Sequence, residues 1–388
     1  MQFLLKAATA AAVIGSAVAA PGAGKSNGRV IKASTTLQHG QVLDWVTPES
    51  MTPDGKAPAT PPEPPKNMRK RDASKPSFRE LLARNPANQG PKGTVPVLRS
   101  NNTATEILKA RPTADTRKAK RDGDQGTHWY ASSAQYVNNN GGLATVSLFA
   151  PYVESSSDFS LLQTAIVHGN AQAAAGTVTQ TAEAGWIVYP NQVSQPHLFS
   201  YYTTTGYQSE GDNIGCWNTG CSGYVQTDST IYPGIAYTPL STDGGDQYEL
   251  QIGYFLSGGN WWLWVDDGYV GYYPASLWSN GASNAAETLG AYANEINWYG
   301  EIYNSEVTTT TTDMGSGEFP SAGFGKSAYM HNIQYVDQSN TYQNYDGSAG
   351  SVVSDSSRYD YTPAWNSGTS WGSYFYIGGP GAGGQIGA

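Results

Sequence analysis

The sequence predicts an all-β fold, an antiparallel β-sandwich of two sheets, for the larger part of this chain. Residues 122–388 hold most of the 26 Tyr and 11 Trp, with abundant Gly, Ser and Thr. Apolar and polar residues alternate in 144–149 (ATVSLF) and 248–255 (YELQIGYF), and this period of two is typical of strands. Turn sequences at 258–260 (GGN) and 266–268 (DDG) predict successive hairpins. Many short strands with frequent turns indicate a sandwich or a barrel.

The charged residues divide the chain at Arg121. Up to that residue there are 20 Lys and Arg against 8 Asp and Glu, a net charge of +12; the remainder has 2 against 23, a net charge of −21. The boundary is Lys120-Arg121, a dibasic pair typical of secretory processing sites. This layout predicts a zymogen, in which residues 20–121 are a pro-segment that inhibits the body, and proteins that need such a mask are most often proteases. The alternative is a disordered basic tail that binds nucleic acid or an acidic surface.

The beginning of the chain predicts export. Residues 1–19 contain a basic start at Lys6, a short apolar run and an A-x-A cleavage sequence, and therefore resemble a signal peptide. The apolar run is shorter than the ~20 residues that a membrane span needs, so we expect a secreted, extracellular protein. Asn101 lies in the sequon NNT and is a glycosylation candidate. The Gly-rich tail, 378–388, is expected to be flexible.

The acidic body, 122–388, has consequences for stability and for partners. Carboxylates that repel one another have raised pKa values in the folded state, so stability is favoured at low pH and decreases as pH rises through those values. We expect the unfolding temperature at pH 3 to be no lower than at pH 7 in a thermal melt; a lower value would contradict the charge argument. We also expect a monomer that does not bind nucleic acid, because the phosphate backbone would be repelled.

We expect any catalysis by residues 122–388 to use carboxyl groups. It contains no H-E-x-x-H zinc motif and no Asp-Thr-Gly or Asp-Ser-Gly pair, and its four His residues lack ligand spacing, so we expect neither a metal nor a cofactor. Cys216 and Cys221 are close together in a secreted context, which favours a disulfide over a free nucleophilic thiol. A hydrolase can instead use two carboxyl groups, one as base and one as acid. Sequence spacing alone does not reveal which pair.

Seven segments in order resemble the neprosin family of secreted glutamic endopeptidases. They span roughly 127–335 and are 182–190 (AEAGWIVYP), 198–203 (LFSYYT), 215–226 (GCWNTGCSGYVQ), 260–262 (NWW), 271–278 (GYYPASLW), 298–302 (WYGEI) and 314–320 (MGSGEFP). The resemblance implies a catalytic pair at Glu183 and Glu301. It also implies a two-sheet β-sandwich similar to scytalidoglutamic (eqolisin) peptidases, a pro-segment, activity in acid, and cleavage of polypeptides after proline, including proline-rich substrates.

The chain departs from the family pattern near the expected site. Trp217 replaces a Tyr between the cysteines, Tyr299 replaces a Gly beside Glu301, and Glu318 stands where plant members commonly carry His. Further candidates for the substrate cleft follow from the same segments: Trp186, Trp298 and Tyr299 as aromatic walls, and the backbone of Gly315 and Gly317 as oxyanion donors. Core packing is the alternative for the two tryptophans.

Three other functions remain open from the sequence. Abundant aromatic residues and few charges also suit a sugar-binding β-sandwich, whose binding would survive Glu→Gln changes at both positions. A glycoside hydrolase uses two carboxyl groups as well, at a separation of ~5–9 Å. An inactive, cell-wall-associated structural protein is the third, and the processing signals argue against it.

Overall fold

A computed structural model describes residues 25–26, 28–37, 40–64, 77–84, 88–99, 126–306 and 308–384. The predicted signal peptide, Asn101 and Lys120-Arg121 lie outside these residues. The predicted fold class is confirmed, because the described body is almost entirely antiparallel sheet. Its predicted hairpins are also present: Ser257 pairs with Asn260, and Val265 pairs with Gly268. Asp266 at the second turn has φ 55°, a left-handed conformation that Asp tolerates better than most residues.

The strands have the following bounds in chain order: β1 Lys25–Ser26, β2 Arg29–Thr36, β3 Val42–Val46, β4 Val95–Leu98, β5 Thr127–Gln135, β6 Asn139–Ser147, β7 Phe159–Ala173, β8 Gly176–Tyr189, β9 Val193–Thr203, β10 Gly215–Trp217, β11 Val225–Gln226, β12 Glu249–Ser257, β13 Asn260–Val265, β14 Gly268–Pro274, β15 Glu295–Asn304, β16 Ala328–Asp337, β17 Tyr342–Asn344, β18 Val352–Val353, β19 Asp360–Ala364 and β20 Tyr374–Gly378. Two short helices accompany them within the described residues, α1 Phe78–Ala83 and α2 Ser276–Ser279. No helix in this part of the chain is both long and apolar enough to cross a membrane.

Two large sheets form the sandwich. The seven-stranded sheet has the order β10-β9-β8-β7-β15-β5-β18, and the nine-stranded sheet has the order β11-β14-β13-β12-β6-β16-β20-β19 with β17 beside β16. Their facing sides share one buried cluster that includes Leu162, Trp186, Leu250 and Leu263. The indole Nε1 of Trp186 donates to the carbonyl oxygen of Ser147 at 2.9 Å, across the gap between the sheets. Because side chains alternate along a strand, residues next to these core residues lie on the outer faces.

The N-terminal residues form a small unit of their own. Strands β1 to β4 make a four-stranded sheet. Helix α1 begins at a capping box in which Ser77 Oγ accepts from the amide of Glu80 and the Glu80 carboxylate accepts from the amide of Ser77. We call these described residues, between 25 and 99, the N-terminal unit. It packs on the body at the edge strands β10 and β11 and on the outer face of the nine-stranded sheet.

The expectation of a flexible Gly-rich tail is wrong for its described residues. Gly378 and Gly379 are buried, and the carbonyl oxygen of Gly379 accepts from the amide of Met314 at 3.0 Å. A Cβ at Gly379 would lie 2.0 Å from the carbonyl oxygen of Arg358. Glycine at this position is therefore required for close backbone packing rather than for mobility.

Candidate active site

Glu183 and Glu301 lie on the same outer face of the seven-stranded sheet, on either side of strand β7. Glu183 on β8 pairs with Ala165 on β7, and Glu301 on β15 pairs with Leu161 on β7. Directly paired residues share a face, and Leu161 and Ala165 are four residues apart, so all four side chains point the same way. Because these two partners are four residues apart at ~3.3 Å per residue, the backbone positions of Glu183 and Glu301 are offset by ~13 Å along the direction of β7. Gln163 and Tyr299, which pair with each other, occupy the interval.

Glu183 is held by four polar side chains. Its Oε1 accepts hydrogen bonds from Thr181 Oγ1 at 2.7 Å and from the Tyr207 hydroxyl at 2.6 Å. Its Oε2 accepts from Gln163 Nε2 at 3.0 Å and from the Tyr299 hydroxyl at 3.2 Å. The side chain is fully buried. Within the described residues, neither oxygen of Glu183 bonds to Glu301.

Burial determines the protonation of Glu183. The pKa of Glu183 is raised to about 7, chiefly by removal from water; the nearby charge of Glu301 adds to the rise, and the hydrogen bonds from Tyr207, Thr181 and Gln163 oppose it. A carboxyl group with such a pKa is protonated in acid solution and can donate its proton.

Glu301 has a different environment. Its Oε1 lies 2.6 Å from Nδ1 of His128 and 3.3 Å from the Tyr130 hydroxyl, which donates to it. His128 and Tyr130 are two residues apart on β5, the strand next to β15, so they share a face with Glu301. His128 is nearly buried, between the rings of Phe159 and Tyr303. His128 is thus a neighbour of Glu301 that carries a charge when protonated, whereas the four side chains that contact Glu183 are neutral.

Small residues on the two carboxylate strands allow close packing. A Cβ at Gly185 would lie 2.0 Å from the carbonyl oxygen of Leu162 and 2.9 Å from Cβ of Gln163. A Cβ at Gly300 would lie 2.7 Å from Sδ of Met314. Gly185 therefore leaves space for the Gln163 side chain beside Glu183, and Gly300 brings the Glu301 strand down onto the core.

The cysteines form a disulfide, as predicted, and it lies at the edge of the same sheet. Trp217, next to Cys216, pairs with Tyr201, and Tyr201 pairs with Glu183. Trp217 therefore lies on the carboxylate face, in a buried cluster that includes Phe159, Phe199 and Tyr201. The disulfide joins two residues with a sequence separation of 5, and Trp217 lies within the short loop that it closes.

The other cleft candidates have mixed outcomes. Tyr299 contacts Glu183, as described above. Trp186 and Trp298 are fully buried in the cluster between the sheets, because each lies three residues from its glutamate and therefore on the other face of its strand. This position agrees with the core-packing interpretation of the two tryptophans. Gly315 and Gly317 lie near Ala328 and Asp313, toward the nine-stranded sheet, and within the described residues nothing places their backbone beside Glu183.

Several site residues were missed by sequence reasoning. Gln163, His128 and Tyr130 are ordinary strand residues until the register places them beside the glutamates. Tyr207 lies in the loop after β9 with φ 62°, a backbone conformation that the sequence does not reveal. The pentapeptide 368–372 (GTSWG) matches the G-x-S-x-G pattern of a nucleophile elbow. It lies between β19 and β20, whereas a nucleophile elbow needs a turn from strand to helix.

Comparisons with known proteins bear on this site. A sequence profile of the Neprosin family matches residues 156–380. Among solved structures, scytalido-glutamic peptidase with a peptide-based transition-state analogue is similar at 9% identity and a TM-score of 0.29, covering 65% of this chain and 98% of the other. SCP-B, a member of the eqolisin family in complex with the tripeptide Ala-Ile-His, shows 8% identity and a TM-score of 0.27 over 65% and 98% of the two chains.

A third structure, the Crh5 transglycosylase without ligand, shows 8% identity and a TM-score of 0.22, covering 56% of this chain and 93% of the other. The family match covers more than half of the 388 residues and includes both glutamates, the disulfide and the strands that hold them. The chain therefore belongs to the Neprosin family and is a peptidase of the hydrolase class.

Proposed function

We propose that this protein is a secreted, acid-acting glutamic endopeptidase, made as a zymogen with a signal peptide at 1–19 and a cut at Lys120-Arg121. Glu183 and Glu301 are its catalytic pair, and it hydrolyses polypeptides, preferentially after proline. One observation supports this most strongly: the register brings two fully buried glutamates onto one face of a sheet, in two different electrostatic environments. Family membership supports the peptidase chemistry.

The two environments assign different roles to the pair. Glu301, beside His128, is the carboxylate that takes a proton from the attacking water. Glu183, with its raised pKa, is the acid that protonates the carbonyl oxygen or the leaving amine of the scissile peptide. Both protons are accounted for, since the base gains one from water as the acid loses one to the substrate. We expect the peptide group and one water to bind above β7, between the two glutamates.

The donors for a tetrahedral intermediate come from the same interval. The amide of Gln163 and the hydroxyl of Tyr299 lie between the glutamates and bond to Glu183 Oε2 in the absence of substrate. Either group can turn its donor toward an oxyanion that forms above β7, because each needs only a side-chain rotation. Tyr299 stands where the resemblance to the family places a Gly, and its hydroxyl contacts Glu183.

Tyr207 should set the alkaline limit of activity. The hydrogen bond from Tyr207 lowers the pKa of Glu183, in opposition to burial. Tyr207→Phe removes the hydroxyl, so the pKa of Glu183 rises and the acid stays protonated to higher pH. We expect the alkaline limb of kcat against pH to move up by roughly one unit. Tyr232→Phe, a buried tyrosine that is not beside either glutamate, is the control and should leave the limb unchanged.

The test of the proposal is a substrate panel with mass spectrometry. The secreted protein is acidified and incubated at pH 3–4 with denatured proteins, with proline-containing peptides and with polysaccharides. We expect peptide products with a preferred residue before the cut, and an N-terminus of the processed chain at residue 122. Sugar products without peptide products would favour the glycoside hydrolase. Binding to polysaccharide with no product of either kind would favour the sugar-binding sandwich.

A further inference from the structure

The contact between the N-terminal unit and the body is largely apolar. Leu43 and Trp45 of β3 are almost fully buried in the same cluster as the core between the two sheets. Val46, Met51, Val95 and Val97 belong to a second cluster, which contains Trp262, Trp264 and Tyr272 from the outer face of the nine-stranded sheet. The body residue Gly234 continues this fit, since a Cβ there would lie 2.6 Å from Cδ2 of Leu98. Such a surface resembles a domain core more than a charge contact.

Polar anchors fix the orientation of the unit. Arg29 is buried, and its Nη2 donates to the carbonyl oxygens of Thr219 at 2.6 Å and Cys221 at 3.3 Å, both on the disulfide loop. At the start of α1, the amide of Phe78 donates to Asp266 Oδ2 at 2.8 Å, and the Phe78 ring lies 4.6 Å from that of Tyr237. Arg79 forms ion pairs with Asp228 and Asp267. Of these anchors, only the contacts to aspartates change when carboxylates are protonated.

The place of the unit separates it from the carboxylate pair. Its partners lie on the disulfide loop, on β11 to β14 and on the hairpin turn at Asp266. Glu183 and Glu301 lie on the opposite outer side of the sandwich, with contacts from β5, β7, β8 and β15 and from Tyr207. Hydrolysis between residues 99 and 126 adds water across a peptide bond and leaves the contacts described above for the unit intact.

We propose that the N-terminal unit is a structural subunit that stays bound to the body after the connecting chain is cut, so that the processed protein has two chains. The unit covers aromatic residues of the nine-stranded sheet, and it leaves inhibition of the site to some other part of the chain. This differs from a basic mask held by charge alone, because most of the buried contacts involve apolar side chains and backbone carbonyls that acid does not titrate.

The test separates the unit from the connecting peptide. Two recognition sequences for a site-specific protease are placed in the full chain, one after Asn102 and one in place of Lys120-Arg121, and both are cut. Size-exclusion chromatography then follows at pH 7 and pH 3.5, in about 0.5 M NaCl to screen exposed charges. We expect both chains in a single peak at each pH. Elution of the N-terminal chain apart from the body at either pH would overturn the proposal, and neither result depends on peptidase activity.

A matched pair of variants tests the interface itself. Arg29→Ala removes the buried anchor on the disulfide loop, whereas Lys32→Ala removes an exposed charge from the same strand. In the cut protein we expect Arg29→Ala to raise the dissociation constant of the two chains at least about tenfold, with Lys32→Ala unchanged. Trp45→Ala should weaken binding further, and Arg29→Ala remains decisive if that variant fails to fold. Equal binding by the Arg29 and Lys32 variants would overturn the assigned interface.

Discussion

Replacement of either glutamate by glutamine should abolish most peptide cleavage. In Glu301→Gln the water loses its base, and in Glu183→Gln the leaving group loses its acid, so we expect kcat to fall by roughly 10²–10⁴-fold in each single variant. The double variant should be little worse than either single one, because the two groups act in the same step. The measurement is the initial rate of peptide hydrolysis at pH 3–4, with products identified by mass spectrometry.

The control is a glutamate of similar chemistry outside the site. Glu287 is half-exposed in the turn at 285–287, and its carboxylate accepts from the Tyr292 hydroxyl. Glu287→Gln should retain the parent rate. Folding of every variant is checked by the mass of the secreted product and by its unfolding transition. Full activity in a folded Glu183 or Glu301 variant would show that the family resemblance has identified the wrong carboxylate.

The second large effect is on stability, and it follows from the raised pKa of Glu183. Burial raises this pKa to about 7 from its ordinary value of 4.5. Below pH 4.5 the group is protonated in both the folded and the unfolded state, so its protonation costs nothing. As pH rises from 4.5 through 7, the unfolded state gains the favourable ionised form first, and the free energy of unfolding falls. The loss should be about 3 kcal/mol by pH 8.

Glu183→Gln removes this titration. We expect urea unfolding of the full chain to show a free energy that falls less between pH 4 and pH 8 in the variant than in the parent, by about 3 kcal/mol. Other carboxylates contribute equally to both proteins, so the difference isolates Glu183. Glu287→Gln, again the control, should follow the parent curve. Parallel curves for parent and Glu183→Gln would show that Glu183 is ionised in the folded protein and is not the acid.

Predictions for single residues succeeded where local pattern decided them. The alternating runs at 144–149 and 248–255 lie within β6 and β12, apart from their end residues. The two turn sequences join the paired strands of the predicted hairpins. The two cysteines pair, because a tight loop leaves little alternative. The phase of the aromatic residues was harder. Trp186 and Trp298 lie on the other face of their strands from the carboxylates, and a strand with apolar residues on both faces does not show which face is the core.

The site itself needed the pairing of distant strands. Glu183 and Glu301 are 118 positions apart in the sequence, and the resemblance to a family named them, but nothing local joins them. Only the placement of β7 between β8 and β15 puts Gln163 and Tyr299 in the interval, and only β5 brings His128 to Glu301. The environments of the two carboxyl groups therefore differ because side chains from other strands surround them.

What the sequence by itself determined is the fold class, the turns, the disulfide and the division of charge at Arg121, because each depends on residues close together in the chain. What only the tertiary structure decided is which side chains surround each of the two buried glutamates, which aromatic residues lie in the core, and where the described N-terminal residues pack. Burial and pKa depend on strands that are distant in sequence, and the net charge of a segment does not reveal that its contact surface is apolar.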